Sequence, residues 1–232
     1  MRFLLVAATR LEIDPLLSAL RAKDKTDSNK QLHFLYEHLE IDVLITGVGM
    51  TATAYWMARA MALKKYDVAV NLGLAGTFHR NLELGTPVWV VKDRFAEMGA
   101  EAGDQFLPIT QMKLLSSQDH PSTDSTVTLE APITAPILGK MPKVSGITVN
   151  TVHGNEISIE RVRNQFRPIV ESMEGAAFMY ACLAAEVPGY QLRTISNYVE
   201  KRNRESWDLV KAVKMLNDLG FTLLTEWGKQ KP

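Results

Sequence analysis

The sequence has a single cysteine, Cys182, among its 232 residues. One cysteine excludes an internal disulfide framework and suits a reducing compartment. Cys182 lies in a stretch that is apolar and helix-like, where a cysteine usually serves as a small buried residue. We therefore expect neither disulfide bonds nor a cysteine nucleophile.

The chain also lacks an excess of charge of either sign, with 26 basic and 26 acidic residues. This balance favours neither nucleic acid nor an anionic membrane as a partner. No run of about 18 apolar residues is present, so no transmembrane helix is expected. Residues 1–10 have a short apolar core but no small-residue cleavage site, and we interpret them as a buried strand rather than a signal peptide. The expected location is the cytoplasm.

Apolar residues make up 46% of the chain, which is enough to bury a sizeable core. Continuous apolar segments alternate with helix-period segments, a pattern that predicts a mostly parallel sheet covered on both faces. No repeat, low-complexity tract or linker interrupts the pattern. We therefore predict an α/β fold: a single three-layer α/β/α domain over residues 1–232, with a mostly parallel central mixed sheet. Predicted strands cover residues 2–8, 32–40, 41–47, 66–76, 85–93, 145–154 and 190–200, and predicted helices cover 11–20, 50–63, 157–165 and 206–227. Residues 21–31 are predicted to form a polar turn, and residues 94–126 a loop or lid.

Ligands of open α/β sheets bind at the carboxyl ends of the strands. In this sequence those positions carry two acids, Glu12 and Glu174, and an amide, Asn197, among several glycines. We expect these three side chains to converge on a glycine-lined site.

Glu12 has two interpretations. The segment "TRLE", residues 9–12, fits a helix capping box in which Thr9 caps the helix and Glu12 reaches back to its backbone N–H. A glutamate at a strand–helix junction is equally suited to act as a general base. The local sequence does not separate the two.

The glycine turns are also open to two interpretations. "TGVGMTA", residues 46–52, resembles a dinucleotide-binding turn, with Asp67 twenty residues after Gly47. The ribose-binding acid of that motif ends a strand, however, whereas Asp67 begins one, which favours a tight strand-to-helix turn. "NLGLAG", residues 71–76, is either another tight turn or a place where backbone approaches a ligand closely.

Glu174 and Asn197 likewise have structural alternatives. An acid near the first turn of a helix is favoured by the helix dipole, and an asparagine commonly closes a strand. A carboxylate beside the small residues 175–177 is also suited to accept hydrogen bonds from the two hydroxyls of a sugar.

Several segments resemble one family. "SMEGAAF", residues 172–178, followed by "RTISN", residues 193–197, is similar to the purine nucleoside phosphorylase and nucleosidase superfamily. The similarity is greatest to its hydrolase branch, the methylthioadenosine/adenosylhomocysteine nucleosidases and futalosine hydrolases. "VAATRLEIDPL" and "NLGLAGTF", residues 6–16 and 71–78, match the pattern as well. The resemblance implies a nucleoside phosphorylase-like fold, a small purine nucleoside as substrate and at least a homodimer, for which the helix at residues 50–63 is a candidate interface.

The resemblance also implies a role for individual residues. Glu12 would activate the attacking water as a catalytic base, and Asn197 would act on the leaving purine. The expected substrate-binding residues are Met173 and Glu174 at the ribose, Ala75 and Gly76 below the sugar, Arg193 as a support, Ser196 at the purine and Trp207 at the 5′ substituent. The segment after His153 is expected to form a wall of the base pocket. The candidates for the far end of the substrate are Arg10, Arg80, Arg202 and Arg204.

Asn197 departs from the methylthioadenosine nucleosidases, which carry aspartate there. An amide has no proton to transfer, but it can donate to a 6-oxo oxygen and accept from a protonated N7, a pairing that suits hypoxanthine. Futalosine is a hypoxanthine nucleoside, and "NRESWD", residues 203–208, resembles the C-terminal signature of futalosine hydrolases. The resemblance thus implies hydrolysis of futalosine to hypoxanthine and dehypoxanthine futalosine, a step of menaquinone biosynthesis.

The mechanism this implies uses charge alone: anionic Glu174 stabilises the cationic ribose, and Glu12 takes a proton from water. We expect no cofactor, and the five histidines show no metal-ligand spacing, so no metal is expected either. The alternatives left open are a methylthioadenosine/adenosylhomocysteine nucleosidase, a purine nucleoside phosphorylase, a non-catalytic nucleoside-binding protein and, last, a dinucleotide oxidoreductase. Phosphorolysis is disfavoured because Arg10 and Arg193 are the only obvious basic residues at these strand ends.

Overall fold

The computed structural model describes residues 1–20, 24–28, 30–103, 105–109, 111–114, 126–129 and 134–230. Its strands are β1 (Arg2–Ala7), β2 (Asp24–Ser28), β3 (Gln31–Tyr36), β4 (Leu39–Ile45), β5 (Val68–Thr77), β6 (Pro87–Arg94), β7 (Gly99–Ala102), β8 (Gln105–Pro108), β9 (Thr126–Thr128), β10 (Lys143–Thr148), β11 (Val170–Ser172) and β12 (Gly189–Tyr198). Its helices are α1 (Arg10–Leu20), α2 (Met50–Leu63), α3 (Pro136–Gly139), α4 (Glu156–Phe166), α5 (Gly175–Ala184) and α6 (Leu209–Gly228).

The first strand shows how the sequence specifies three layers. Alternate side chains of a strand point to opposite faces of a sheet. Phe3 and Leu5 pack into the apolar cluster shared with α1 and α6, whereas Leu4 and Val6 pack into the cluster shared with α2 and α5. Since both faces of β1 are buried, the strand reads as a continuous apolar run. The predicted α/β/α layering is confirmed.

The central sheet is mixed, in the order β11-β10-β6-β12-β5-β1-β4-β3-β2. Strands β12, β5, β1 and β4 pair in parallel at its centre, while β2 and β3 add antiparallel pairs at one edge and β6 pairs antiparallel with β12. Strand β10 also pairs in parallel with β6 and β11, so parallel pairs occur both at the centre of the sheet and on its β10 side.

One part of the sheet closes on itself. Strand β11, next to β10, also pairs antiparallel with the end of β5, so β5, β12, β6, β10 and β11 form a ring. Each of the five strands contributes to a single buried apolar cluster, made of Ala75, Val88, Val90, Val144, Val170 and Ile195. The ring brings the ends of β5, β11 and β12 together, and these are the strand ends that carry the candidate residues.

Several boundaries differ from prediction, and the predicted strand 145–154 ends at Thr148. The polar turn predicted at residues 21–31 contains β2, which pairs with β3 at the edge of the sheet. The predicted strand 32–40 is broken by Glu37, whose positive φ of 53° marks the turn between β3 and β4. The last helix begins at Leu209 rather than Ser206, because Asp208 caps it by accepting a hydrogen bond from the backbone N–H of Lys211.

The predicted loop at residues 94–126 contains the hairpin of β7 and β8. These strands, GAEA and QFLP, are only four residues long, which is too short for an apolar alternation to be detected in the sequence. Residues 104, 110 and 115–125 of this segment lie outside the described residues, and the prediction of a lid falls partly on them.

Candidate active site

Glu12 is buried in the first turn of α1, and both its oxygens accept hydrogen bonds. Oε2 accepts from the backbone N–H of Thr9 at 2.9 Å and from the Thr9 hydroxyl at 3.1 Å. Oε1 accepts from the backbone N–H of Leu74 on β5 at 3.2 Å. The carboxylate thus reaches back to the residue before the helix, as a capping box requires, and it also faces the glycine-rich end of β5. The contact to Thr9 expected from a capping box is therefore present, and the role of Glu12 as a general base stays a prediction.

Helix α6, which lies far from Glu12 in the sequence, fixes the backbone that carries Glu12. The Asn217 amide on α6 donates to the Glu12 carbonyl oxygen at 2.8 Å and accepts from the backbone N–H of Leu16 at 2.8 Å. Both are buried hydrogen bonds between residues about 200 positions apart in the sequence. The first and last helices therefore hold Glu12 in place jointly.

Glu174 directly precedes α5, and its side chain makes no capping hydrogen bond to that helix. Its Oε1 instead accepts from the backbone N–H of Gly49 at 3.0 Å, and its Oε2 lies 3.7 Å from Nη1 of Arg193. The helix-dipole explanation therefore does not account for the direction of this side chain. The carboxylate is turned towards Glu12 and Arg193.

Arg193 lies on β12, the neighbour of β5 in the sheet, and its side chain is almost fully buried. It pairs in register with Gly73, where a Cβ atom would stand 2.0 Å from Nη1. Its Nη2 donates to Oδ1 of Asn71 at 2.5 Å. Glycine at position 73 is thus required for the arginine to reach Glu174.

Burial raises the pKa of Glu12, and the negative charge of Glu174 raises it further. The Thr9 N–H, the Arg193 guanidinium and the Leu74 N–H act in the opposite direction. Arg193 therefore sits beside two acids that repel each other, which is the arrangement expected where one carboxylate is to take up a proton.

The turn after β4 contributes directly to this arrangement. Gly47 and Gly49 both have positive φ angles, 93° and 96°, a conformation that glycine adopts without strain. Gly49 precedes α2, and its N–H is the donor to Glu174. The tight-turn interpretation of "TGVGMTA" is therefore the better description, and the turn places its N–H on the candidate sugar-binding acid.

Asn197 lies opposite Gly76 in the pairing of β12 with β5. Its Oδ1 accepts from the Ser196 hydroxyl at 2.8 Å, and its Nδ2 donates to the Tyr198 carbonyl at 3.1 Å. Asn197, Gly76 and Trp207 line one pocket. The structure thus brings these three predicted residues together at the end of the strand ring.

The other predicted residues occupy less direct positions. The Ala75 side chain is buried in the apolar cluster of the ring, so only its main chain faces the site; its carbonyl accepts from the Ser196 hydroxyl at 3.3 Å. Met173 is partly buried between β11 and Glu174.

The candidate arginines divide into two groups. Arg202 and Arg204 lie 5.6 and 5.9 Å from the ring centre of Trp207, at the pocket. Arg80 pairs with Glu200 and stacks on Tyr198, and both of these partners line the same pocket, whereas Arg10 pairs with Asp14 on the exposed side of α1.

Sequence analysis did not assign a role to a pair in the same pocket, the buried Glu171 and the partly buried His153. Oε1 of Glu171 accepts from the backbone N–H of His153 at 2.9 Å, and Oε2 contacts Nδ1 of the same ring. Both residues line the pocket of Asn197. Eighteen residues separate them, so no local motif reveals the pair.

Within the described part of the chain, no group of three His, Cys, Asp or Glu residues could hold a metal ion. Nor does any described helix have the length and apolar character needed to cross a membrane.

The chain matches the family model of the phosphorylase superfamily over residues 2–220. It belongs to the phosphorylase superfamily. Among curated relatives, the futalosine hydrolase of Acidothermus cellulolyticus is 30% identical over 231 residues, covering 97% of this chain and 91% of that protein. The 5′-methylthioadenosine/S-adenosylhomocysteine nucleosidase of Glaesserella parasuis is 30% identical over 179 residues, covering 73% of each chain. The resemblance found in the sequence motifs is confirmed.

Solved structures confirm the fold. A methylthioadenosine/adenosylhomocysteine nucleosidase from Colwellia psychrerythraea, in complex with adenine, superposes with a TM-score of 0.80 at 19% identity, covering 100% of this chain and 98% of that one. Futalosine hydrolase of Helicobacter pylori superposes with a TM-score of 0.77 at 16% identity, covering 97% and 98%. The nucleoside phosphorylase-like fold predicted for this chain is therefore correct.

Proposed function

We propose that this protein is an N-glycosidase that hydrolyses futalosine to hypoxanthine and dehypoxanthine futalosine, a step of menaquinone biosynthesis. The observation that carries the proposal is the pair of buried carboxylates, Glu12 and Glu174, flanking Arg193 at the end of the strand ring. Sequence similarity to futalosine hydrolase along nearly the whole chain supports the same conclusion.

The proposed mechanism follows from the charge that develops as the glycosidic bond breaks. The electron pair of the bond leaves with the purine, which takes up a proton from solvent at N7, and the ribose becomes cationic. Glu174 accepts hydrogen bonds from the sugar hydroxyls and stabilises that cation where it forms. Glu12 accepts a proton from the water that attacks C1′. Its raised pKa makes the carboxylate a better proton acceptor than an ordinary glutamate.

Arg193 and Gly49 position Glu174 for this role. Gly49 holds one oxygen through its N–H at 3.0 Å, and Arg193 stands 3.7 Å from the other. A carboxylate held on both sides loses little freedom when the sugar binds, so its charge is directed before the reaction begins. We include Met173 and Gly76 among the proposed sugar contacts, since Met173 directly precedes Glu174 in the chain and Gly76 lies opposite Asn197.

Asn197 supports a 6-oxopurine as the leaving base. Its side-chain oxygen accepts from the Ser196 hydroxyl and its nitrogen donates to the Tyr198 carbonyl at 3.1 Å, so the amide orientation is set by its neighbours. An amide so held can pair with O6 and with N7–H of hypoxanthine but cannot protonate the adenine ring. Trp207 and Arg202 border the pocket and are the proposed contacts for the 5′ substituent.

Incubation of the purified protein with futalosine, methylthioadenosine and inosine, each with and without phosphate, tests the proposal. We expect free hypoxanthine from futalosine at a rate independent of phosphate. Release of adenine from methylthioadenosine, with futalosine left intact, would overturn it.

The second candidate is a methylthioadenosine/adenosylhomocysteine nucleosidase, favoured by the relative from Glaesserella parasuis. Asn197 separates the two candidates, and the same incubation decides between them. Phosphorolysis is less well supported. Arg10 is committed to an ion pair with Asp14, and Arg193 to Asn71 and Glu174, so the two arginines identified at these strand ends have protein partners already.

We further propose one domain over residues 1–232, a cytoplasmic location and assembly into a homodimer or larger homo-oligomer. Helix α2 supports the assembly, because Tyr55 and Leu63 are apolar and well exposed on it, as is Val48 just before it. Light scattering of the wild type and of Y55E tests this proposal: a monomeric wild type would contradict it, and dissociation of the variant would assign the interface.

A further inference from the structure

The pair of the buried Glu171 and the partly buried His153 has a fixed hydrogen-bond pattern. An ionised carboxylate only accepts hydrogen bonds. Since Glu171 Oε2 contacts Nδ1 of His153, the ring carries its proton on Nδ1 and donates it to the carboxylate. The second oxygen is held by the backbone N–H of the same residue at 2.9 Å. Backbone and ring of His153 are therefore clamped by one acid.

The hydrogen bond at Nδ1 determines whether Nε2, on the other side of the ring, is a donor or an acceptor. When Nδ1 holds the proton of a neutral imidazole, Nε2 is an acceptor, and the group bound to Nδ1 fixes the tautomer. The Glu171 side chain is 3% exposed and that of His153 13%. The ring is thus held by a desolvated carboxylate while keeping an exposed edge, and His153 lines the pocket that contains Asn197 and Gly76.

Hypoxanthine and adenine differ in their hydrogen-bonding groups at N1 and at the neighbouring 6-position. Hypoxanthine carries a hydrogen on N1 and an acceptor at O6, whereas adenine has an acceptor at N1 and donors at N6. An acceptor in the pocket pairs with the N1–H of hypoxanthine and repels N1 of adenine. A buried acceptor left unpaired costs about 1–3 kcal/mol, or about 10- to 100-fold in affinity.

We propose that His153, held by Glu171, is a specificity-determining residue that recognises the N1–H of a 6-oxopurine. Resting on the proposed function, this inference names the group that distinguishes the base of its substrate. His153 contacts the base, and Glu171 is a positioning residue that sets the tautomer. Asn197 pairs with the O6 and N7 edge of the base, and His153 with the neighbouring N1 edge.

Calorimetric titration of the protein with free hypoxanthine, adenine and N1-methylhypoxanthine tests the inference without requiring turnover. The wild type is expected to bind hypoxanthine about 10- to 100-fold more tightly than either other base. H153A is expected to lose that difference, and H153Q, which retains an acceptor, to keep part of it. H79A removes an exposed histidine and serves as the control. Equal discrimination by the wild type and H153A would overturn the inference.

E171Q tests the positioning role. The glutamine amide can donate to Nδ1, which moves the ring proton to Nε2 and presents a donor to the base. We expect the hypoxanthine preference to shrink while circular dichroism and the unfolding midpoint stay close to wild type. An unchanged preference in E171Q would remove the tautomer argument.

The two proposals fail separately. A wild type that binds hypoxanthine selectively through His153 but leaves futalosine intact would retain the recognition role and refute the futalosine reaction. A wild type that hydrolyses futalosine while H153A retains the full preference would do the reverse.

Discussion

The guanidinium of Arg193 lies against the backbone of Gly73, so close that a Cβ atom would stand 2.0 Å from Nη1. The G73A variant therefore displaces Arg193 and with it the contact to Glu174. We expect a destabilisation of about 1–3 kcal/mol and a large fall in kcat/KM for nucleoside hydrolysis. Chemical denaturation and steady-state kinetics measure the two effects. G139A is the control, because nothing lies within 4 Å of its added Cβ. Wild-type kinetics in G73A would show that Arg193 has no part in the reaction.

The proposed base, Glu12, gives a prediction for turnover. E12Q keeps the shape of the side chain but cannot take up a proton, so kcat is expected to fall about 10²- to 10⁴-fold while substrate binding changes little. D14N removes an exposed acid of the same helix and is expected to behave as wild type. Full turnover by E12Q would exclude Glu12 as the base.

The same residue gives a prediction for stability. The pKa of Glu12 is raised from its ordinary value of 4.5, so the folded state holds the proton more tightly than the unfolded state does. The stabilisation is fully present below pH 4.5 and is lost as the pH rises through the folded pKa. In E12Q the free energy of unfolding is expected not to fall over this pH range, because the amide does not titrate. The variant is expected to be at least as stable as wild type at neutral pH. Urea titrations over a pH series measure it, and an E12Q curve that falls in parallel with wild type would contradict it.

Asp93 lies under the start of α5, fully buried, and burial raises its pKa to about 6, against the lowering effect of the Gln191 amide. Its ordinary value is 3.8, and the difference corresponds to about 3 kcal/mol. The free energy of unfolding should fall by about that amount as the pH rises from about 4 to above 6. D93N is expected to remove most of that fall, because the amide does not titrate. An equal fall in wild type and D93N would place the titrating group elsewhere.

Asn197 gives a prediction for specificity. N197D introduces an acid that can protonate a purine ring nitrogen, so adenine nucleosides become better substrates relative to hypoxanthine nucleosides, by about 10-fold or more. N81D changes the charge equally at an exposed position outside the pocket of Asn197 and serves as the control. The ratio of kcat/KM for methylthioadenosine and futalosine is the measurement; an unchanged ratio would move specificity to other residues.

The layering and the helices could be predicted because they depend on local pattern. Strands such as β1 are apolar on both faces, and α2 was predicted with the bounds that the structure shows, Met50–Leu63. Strand β2 was missed because "DKTDS" is polar and carries no apolar alternation. The hairpin of β7 and β8 was missed for a similar reason.

The residues of the site were found in the sequence more readily than their contacts. Glu174 stands out as an acid within an apolar segment, but its donor, Gly49, is 125 residues away. The pairing of β11 with β5, which closes the ring, involves two residues of each strand. No periodicity in the sequence predicts so short a pairing. His153 and Glu171 are separated by a helix, so their contact depends on the complete fold.

Asn217 has a consequence for how the protein matures during synthesis. The backbone of Glu12 is fixed by a side chain that is translated 205 residues later. A nascent chain that lacks α6 has β1, α1 and the glycine turns but not the clamp on the proposed base. We expect such a chain to remain inert towards nucleosides, so that catalytic competence appears only as the last helix leaves the ribosome and docks.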